Sequence, residues 1–276
     1  MNVVWAVLIT AAVTAVAVTA MLLVRRRAPD GSGFADGDRA AGVFGVLATG
    51  FSVLLGFIVF LAFTSYDQSR SGAEQEALVL VQQVENAQFL PRPVAGELTG
   101  ELVCYARSVV NDEWDRMRAG TQGDALNPWG VELFRTLQTV QPRTASQQSA
   151  YDKWLDQTST REEARRDRIH GAVGVIPTTL WIVLFFIAGV IFVFMLFFAD
   201  SGERAVVQGM LMGSVVSVMA ALLLLLWSLD DPFHGGVGGL QPVAMERSLR
   251  MVDKALSAVG RRVQLPCDAL GNPVPS

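Results

Sequence analysis

The sequence predicts an all-α membrane protein, with four transmembrane helices in two hairpins and a helical soluble domain inserted between the hairpins. Three observations predict this fold class: four long apolar runs without charged residues, short loops within each pair of runs, and a long polar segment between the pairs. Each run has about 20 or more residues, which at about 1.5 Å per residue crosses a hydrocarbon core of about 30 Å. The runs are Val3–Val24, Ala41–Phe63, Thr178–Phe198 and Val206–Leu229.

The first hairpin, residues 1–65, joins two spans through a short loop that contains Pro29, Gly31 and Gly33. Its first apolar run is longer than the core of a typical secretory signal, lacks a basic segment before it and is followed at once by Arg25-Arg26-Arg27. We therefore interpret it as a retained span. Because the four runs contain no acidic, basic or histidine side chain, the sequence argues against proton pumps and ion-coupled transporters.

The soluble insert, residues 66–176, is predicted to be helical throughout. Helical spacing of apolar residues continues from the second span to Leu90, and Pro91 and Pro93 then end the helix. Amphipathic patterns predict further helices, and no alternating strand pattern competes with them. These helices cover residues 94–117, 131–140 and 145–168.

The second hairpin, residues 177–229, contains a tight turn between its two spans. In the last span Gly209, Gly213 and Ser217 recur every four residues, a spacing of small side chains that predicts close helix contact. The tail, residues 230–276, carries one amphipathic helix and then a Pro-rich end that we expect to be disordered.

An even number of spans places the N-terminus, the insert and the tail on the same side of the plasma membrane. The positive-inside rule, applied to Arg25-Arg26-Arg27, puts the first loop in the cytoplasm and so exports the insert. Arg161, Arg165, Arg166 and Arg168, which precede the third span, favour the opposite orientation. The two counts are nearly equal, and both orientations stay open.

Candidate catalytic and metal-binding residues are few. Cys104 and Cys267 have no ligand spacing and suggest no disulfide framework, so we interpret Cys104 as a packed free thiol. The two histidines lack a partner at ligand spacing, which argues against a metal site or a cofactor. The carboxylates within 112–115 are interpreted as a surface turn of an amphipathic helix, since no nucleophile accompanies them. The sequence predicts neither an enzyme nor a nucleic-acid-binding protein.

Two short motifs flank the predicted membrane core. Ser52 and Gly56 belong to a Ser-Val-Leu-Leu-Gly-Phe segment of the second span, and Asp231, Pro232 and Phe233 follow the fourth span. Both motifs resemble segments of the bestrophin anion channels, in which the first lines the neck of the pore.

The likeness extends over roughly residues 41–245. Two hairpins flank a polar helical segment that contains Tyr105 and the pair Glu113-Trp114. In this arrangement the chain resembles the bestrophin-like family of bacterial multi-pass membrane proteins.

The resemblance implies a homo-oligomeric anion channel in the lipid bilayer. The neck-lining residues would be Thr49, Val53 and Phe57, whose spacing of four residues puts them on one helical stripe. Rings of these side chains from several subunits would form a hydrophobic constriction, wider or more polar at Thr49 and Val53 than in bestrophins. The arginines before the third span would help to concentrate anions.

A second function class stays open. The protein is then a membrane-anchored interaction or sensory module, whose helical insert binds a partner and whose spans conduct nothing. A channel predicts that Thr49, Val53 and Phe57 face a symmetry axis. An interaction module predicts that they are buried against Gly209 and Gly213 of the same chain.

Overall fold

A computed structural model describes residues 3–27, 36–121, 126–258, 260 and 263–274. These residues form helices and no β-strand, apart from an isolated bridge between Cys267 and Pro273. Four helices, α1, α2, α7 and α8, are long and apolar enough to cross a membrane, which confirms the predicted number of spans. The helices are α1 (Val3–Arg25), α2 (Gly37–Ala87), α3 (Val94–Ser108), a π-helical turn (Val109–Glu113), α4 (Trp114–Arg118), α5 (Pro128–Gln138), α6 (Ala145–His170), α7 (Thr178–Leu196), α8 (Ala205–Asp230) and α9 (Val243–Ala258).

The chain divides into two compact units, and α2 contributes residues to both. The membrane unit comprises Met1–Thr64 and Gly174–Gly239, and the polar unit comprises Ser65–Val173 and Leu240–Ser276. The predicted tail, residues 230–276, is therefore shared between the two units.

Apolar side chains at helical spacing hold the membrane unit together. On α2 the buried residues Phe51, Leu55, Ile58 and Ala62 repeat every three or four positions, as expected for one face of a helix. They form one core with residues of α7 and α8, namely Leu184, Ile191 and Leu226. A second core joins α1 to α8 through Ala17, Met21, Met212 and Val216.

Polar contacts fix both ends of the membrane unit. At one end Arg25 donates hydrogen bonds to the carbonyl oxygens of Asp200 (2.8 Å), Ser201 (3.0 Å) and Glu203. At the other end the Asp230 carboxylate accepts hydrogen bonds from the backbone N–H of Ile176 (2.9 Å) and the indole N–H of Trp181 (3.3 Å). The first set of bonds ties the end of α1 to the connection between α7 and α8, and the second set ties the end of α8 to the start of α7.

Within the polar unit, α2 and α6 approach closely at Gly72. A Cβ atom at this position would lie 2.5 Å from the backbone nitrogen of Arg168 and 2.7 Å from the backbone oxygen of Ala164. Only a residue without a side chain fits such a backbone-to-backbone contact. Helix α9 packs against α2, where the Ser248 hydroxyl donates a hydrogen bond to the Ala77 carbonyl (2.9 Å).

The C-terminal segment is anchored to the polar unit by a disulfide and by hydrogen bonds. The prediction that Cys104 is a free thiol is wrong, because Cys104 is bonded to Cys267, with their Cα atoms 5.8 Å apart. The two residues are 163 positions apart in sequence, so no local spacing signals the pair. The expected disorder of the Pro-rich end is also wrong for residues 263–274, where the Trp129 indole donates a hydrogen bond to the Gly271 carbonyl (2.7 Å).

Candidate functional site

The three predicted pore residues lie on the outward face of α2, opposite its buried face. Thr49 is exposed, Val53 is 54% exposed and Phe57 is 66% exposed. Since about 3.6 residues make a helical turn, positions 49, 53 and 57 follow one stripe about half a turn away from Leu55 and Ile58. The membrane unit therefore leaves this stripe uncovered.

The neighbouring positions of α2 are small or hydroxyl-bearing. Gly50 and Gly56 have no described atom within 4 Å of where a Cβ would stand, outside their own turns of helix. Ser52 is exposed, and its hydroxyl donates a hydrogen bond to the Ala48 carbonyl one turn earlier (2.8 Å). The structure thus places the motif residues Ser52 and Gly56 next to the exposed stripe.

The small residues of the last span contact α1 instead of α2. A Cβ on Gly209 would lie 3.6 Å from Val18, and one on Gly213 would lie 3.4 Å from both Thr14 and Val18. The Thr14 hydroxyl donates a hydrogen bond to the Ser217 hydroxyl (3.4 Å). Small side chains allow this close approach of the two helices.

The motif after the fourth span is only partly buried. Pro232 and Phe233 are buried, with Phe233 fully inaccessible, whereas Asp231 is exposed. The Asp231 carbonyl lies 2.6 Å from Nδ1 of His234, which closes a turn directly after α8. The adjacent Asp230, bonded to Ile176 and Trp181, links this end of α8 to the start of α7.

A buried polar cluster lies in the polar unit, and the sequence analysis missed it. Arg168 is fully buried between two carboxylates: its Nε lies 2.5 Å from Oε2 of Glu76, and one of its terminal nitrogens lies 2.5 Å from Oε2 of Glu113. The Tyr105 hydroxyl donates a hydrogen bond to Glu76 (2.5 Å), and Arg165 lies 3.1 Å from the second oxygen of Glu113. We call these five residues the Arg168 cluster.

Helix geometry brings the members of the Arg168 cluster together. Arg165 and Arg168 are three residues apart, so they share one face of α6, and Arg161 on the same face lies over the Tyr105 ring at 4.8 Å. Tyr105 and Glu113 are eight residues apart, which in a regular α-helix would separate their directions by about 80°. The π-helical turn at Val109–Glu113 adds a residue to one turn and reduces this angle, so both side chains reach α6.

The electrostatics of the Arg168 cluster follow from burial and charge pairing. Burial alone would raise the pKa of Glu113, but Arg168 and Arg165 hold that pKa below its ordinary value. Burial raises the pKa of Tyr105 well above its usual range, and the nearby Glu76 raises it further. For Arg168 burial disfavours the cation, yet Glu76 and Glu113 raise its pKa. Tyr105 is therefore a neutral donor, and Arg168 is a permanent cation.

These contacts correct two sequence-based expectations. The 112–115 group is not a surface turn throughout, because Glu113 and Trp114 are buried. The arginines before the third span are not all available to attract anions, because Arg161 and Arg168 are buried; of the four, Arg166 alone is exposed. In the sequence, the regular spacing of the arginines on α6 was the signal that could have indicated the Arg168 cluster. Within the described residues, no group of three or more His, Cys, Asp or Glu side chains could hold a metal ion.

Comparison with known proteins identifies the family. The sequence profile of the Bestrophin-like domain matches residues 11–238. The fold is similar to the crystal structure of a bacterial bestrophin homolog from Klebsiella pneumoniae, with 14% identity, a TM-score of 0.67 and coverage of 95% of this chain and 100% of that chain.

Two further structures have similar folds. A singly mutated form of the Klebsiella pneumoniae homolog matches with 14% identity, a TM-score of 0.66 and coverage of 94% of this chain and 99% of that chain. A structure described as a membrane protein matches with 14% identity, a TM-score of 0.65 and coverage of 94% and 98%. A search of curated proteins gives no match. Because the family profile spans most of its length, the chain belongs to the Bestrophin-like family of membrane proteins.

Proposed function

We propose that the protein is a homo-oligomeric anion channel whose pore is lined by the exposed stripe of α2. In this proposal Thr49, Val53 and Phe57 from several subunits surround a common axis. Rings of Val53 and Phe57 form an apolar constriction, which controls conduction by wetting and dewetting. The observation that carries the proposal is that all three side chains of this stripe are exposed in their own chain.

The composition of the outward face of α2 supports a role beyond contact with lipid. Exposed positions on α7 are mostly bulky and apolar, for example Phe185, Phe186 and Val193. The exposed face of α2 instead interleaves its larger residues with small or hydroxyl-bearing ones. These are Gly42, Gly45, Thr49, Gly50, Ser52 and Gly56. Small residues favour close approach between membrane helices, as assembly around an axis requires.

The alternative, an interaction or sensory module without conduction, makes a different packing prediction. It requires Thr49, Val53 and Phe57 to be buried against Gly209 and Gly213. In the structure the two glycines lie against α1, while Val53 and Phe57 are more than half exposed. This difference favours the channel.

The test is chloride flux through purified protein in liposomes, with two matched phenylalanine variants. Phe57 is 66% exposed on the α2 stripe, and Phe186 is 70% exposed on α7. We expect Phe57→Ala to change chloride flux several-fold, because it removes the largest side chain of the constriction. Phe186→Ala should leave the flux unchanged, since its side chain faces lipid.

Two results would contradict the proposal. One is a silent preparation of intact oligomers, with the oligomeric state checked by native mass spectrometry. The other is an equal effect of Phe57→Ala and Phe186→Ala, which would indicate a general disturbance of the membrane unit. Either result would favour the interaction or sensory module over the channel.

A further inference from the structure

We propose that the polar unit lies on the exported side of the membrane, where Cys104 and Cys267 are oxidised to a disulfide, and that the short loops of the two hairpins lie in the cytoplasm. The cysteine pair and the contacts that hold it in place carry this assignment. The exposed arginines near the short loops agree with it.

The cysteine pair is placed by contacts other than the sulfur–sulfur bond. Cys104 is fully buried on α3, and Cys267 is 6% exposed. The segment that carries Cys267 folds back on itself, where the Val274 N–H donates a hydrogen bond to the Pro266 carbonyl (3.0 Å). It is held to α3 by Arg107, which donates to the Asp268 carbonyl (2.9 Å). The fold thus presents the two sulfurs to each other.

The redox state of such a pair reports its compartment. Cytosolic thiols are kept reduced, whereas disulfides form and persist in exported compartments. Oxidation of the two thiols releases two protons and two electrons. A thiol–disulfide oxidant of the exported compartment accepts the electrons, and its own disulfide becomes a dithiol. The pair therefore assigns both segments of the polar unit to the exported side.

The exposed arginines of the membrane unit gather at the end of the short loops. The hydrogen bonds from Arg25 to the 200–203 turn bring the end of α1 and the α7–α8 connection to one place. Exposed basic residues flank the short loops, and short loops with such residues stay in the cytoplasm. Arg26 and Arg27 follow α1, Arg39 lies in the first turn of α2, and Arg204 precedes α8.

The arginines before α7 favour the opposite orientation by the same rule. Arg161, Arg165, Arg166 and Arg168 lie within about 20 residues of the start of α7, and the rule counts basic residues that close to a span. The two counts are nearly equal, so the cysteine pair decides between the two orientations. With four spans, cytoplasmic short loops place the N-terminus, residues 65–173 and residues 240–276 outside, in agreement with the cysteine pair.

The first experiment measures the redox state of the cysteines in the full-length protein. Cells expressing the protein are lysed directly into denaturant with a polymer-linked maleimide, and mobility is read on a gel with and without prior reduction. We expect no shift before reduction and a shift by two adducts after it, while Cys104→Ser shifts by one adduct without reduction. Two adducts on the unreduced wild-type protein would overturn the proposal.

The second experiment measures sidedness with single reporter cysteines at exposed positions. Ser149→Cys lies in α6, and Glu203→Cys lies in the α7–α8 connection. A membrane-impermeant maleimide applied to intact spheroplasts should label Ser149→Cys at once and Glu203→Cys only after lysis. The reverse pattern, or labelling of both before lysis, would overturn the proposal.

The native cysteines are kept in these variants, so loss of the disulfide cannot unfold the reporters. Because the bonded pair does not react with maleimide, each reporter is the free thiol that the experiment detects. Chloride flux in liposomes does not depend on which way the protein faced in the cell. Failure of the orientation and failure of the proposed channel are therefore separate results.

Discussion

The membrane unit packs its helices through apolar and small side chains, whereas the polar unit buries Arg168 between two glutamates. In lipid an apolar face is nearly as stable against acyl chains as against another helix, so shape and small residues decide which faces pack. In the polar unit a mispacked helix would leave a charge buried without its partner, which is costly. A single substitution in the membrane unit therefore changes the fit between helices, whereas one in the polar unit can leave a buried charge without its partner.

The largest expected effect is the loss of Arg168. Arg168→Ala leaves the carboxylates of Glu76 and Glu113 buried without this cation, and breaking a buried ion pair typically lowers the free energy of unfolding by about 3–5 kcal/mol. Unfolding in detergent can be followed by tryptophan fluorescence, since three tryptophans lie in the polar unit. Arg166→Ala, which truncates an exposed arginine two residues away, serves as the control. If Arg168→Ala and Arg166→Ala were equally stable, the Arg168 cluster would not be what stabilises the polar unit.

The second effect is the loss of the disulfide. Cys267→Ser should lower the free energy of unfolding by about 2–5 kcal/mol, because the cross-link restricts the unfolded chain. The double variant Cys104→Ser/Cys267→Ser should lose about as much as the single variant, since either change removes the same bond. A thermal melt that is insensitive to both would contradict this account.

The third effect compares two glycines at helix crossings. Gly72→Ala forces a Cβ to within 3 Å of α6 backbone atoms, and overpacking of this kind costs about 1–3 kcal/mol. Gly213→Ala meets only side-chain methyl groups of α1 at 3.4 Å, so its melting temperature should stay close to that of the wild type. If Gly213→Ala were the more damaging of the two, the membrane unit would be the more tightly packed.

The fourth effect depends on pH. Since the pKa of Glu113 is lowered in the folded protein, its charge contributes stability above the ordinary glutamate pKa of 4.5, and this contribution is lost as the pH falls through the lower folded value. Stability should therefore decline below about pH 4.5. The decline should be shallower in Glu113→Gln, as measured by melting temperature across an acidic pH series. Parallel curves for the two proteins would exclude Glu113 as its source.

The smallest effect is the hydrogen bond between α1 and α8. Hydrogen bonds between membrane helices contribute about 0.6 kcal/mol on average, so Ser217→Ala should lower stability by roughly that amount. Ser214→Ala is the matched control, because the Ser214 hydroxyl bonds to a carbonyl of its own helix. A large loss in Ser217→Ala would mean that polar contacts matter in both units.

The spans were predictable because lipid imposes a length and a composition on each of them. The end of α2 was also predictable, since Pro91 and Pro93 stop a helix through local sterics. Each of these signals, an apolar run or a proline that ends a helix, can be recognised from neighbouring residues alone. The stripe of Thr49, Val53 and Phe57 follows from helical periodicity alone, but its role as a pore lining stays a prediction.

Partners distant in the sequence were not predictable. Arg168 is 55 residues from Glu113 and 92 residues from Glu76 in the sequence, yet it contacts both. Nothing in the local pattern of residues 112–115 distinguishes a buried carboxylate from a solvated one. The π-helical turn that redirects Glu113 has no clear sequence signal either. The Cys104–Cys267 pair was missed for the same reason, since its placement depends on the C-terminal segment folding back on α3.

The bond between Cys104 and Cys267 also closes a covalent ring, and the chain that forms this ring includes both α7 and α8. A protease that cuts anywhere between residues 105 and 266 would leave two fragments still tied together through sulfur. A nicked molecule would therefore migrate as an intact chain until a reductant is added.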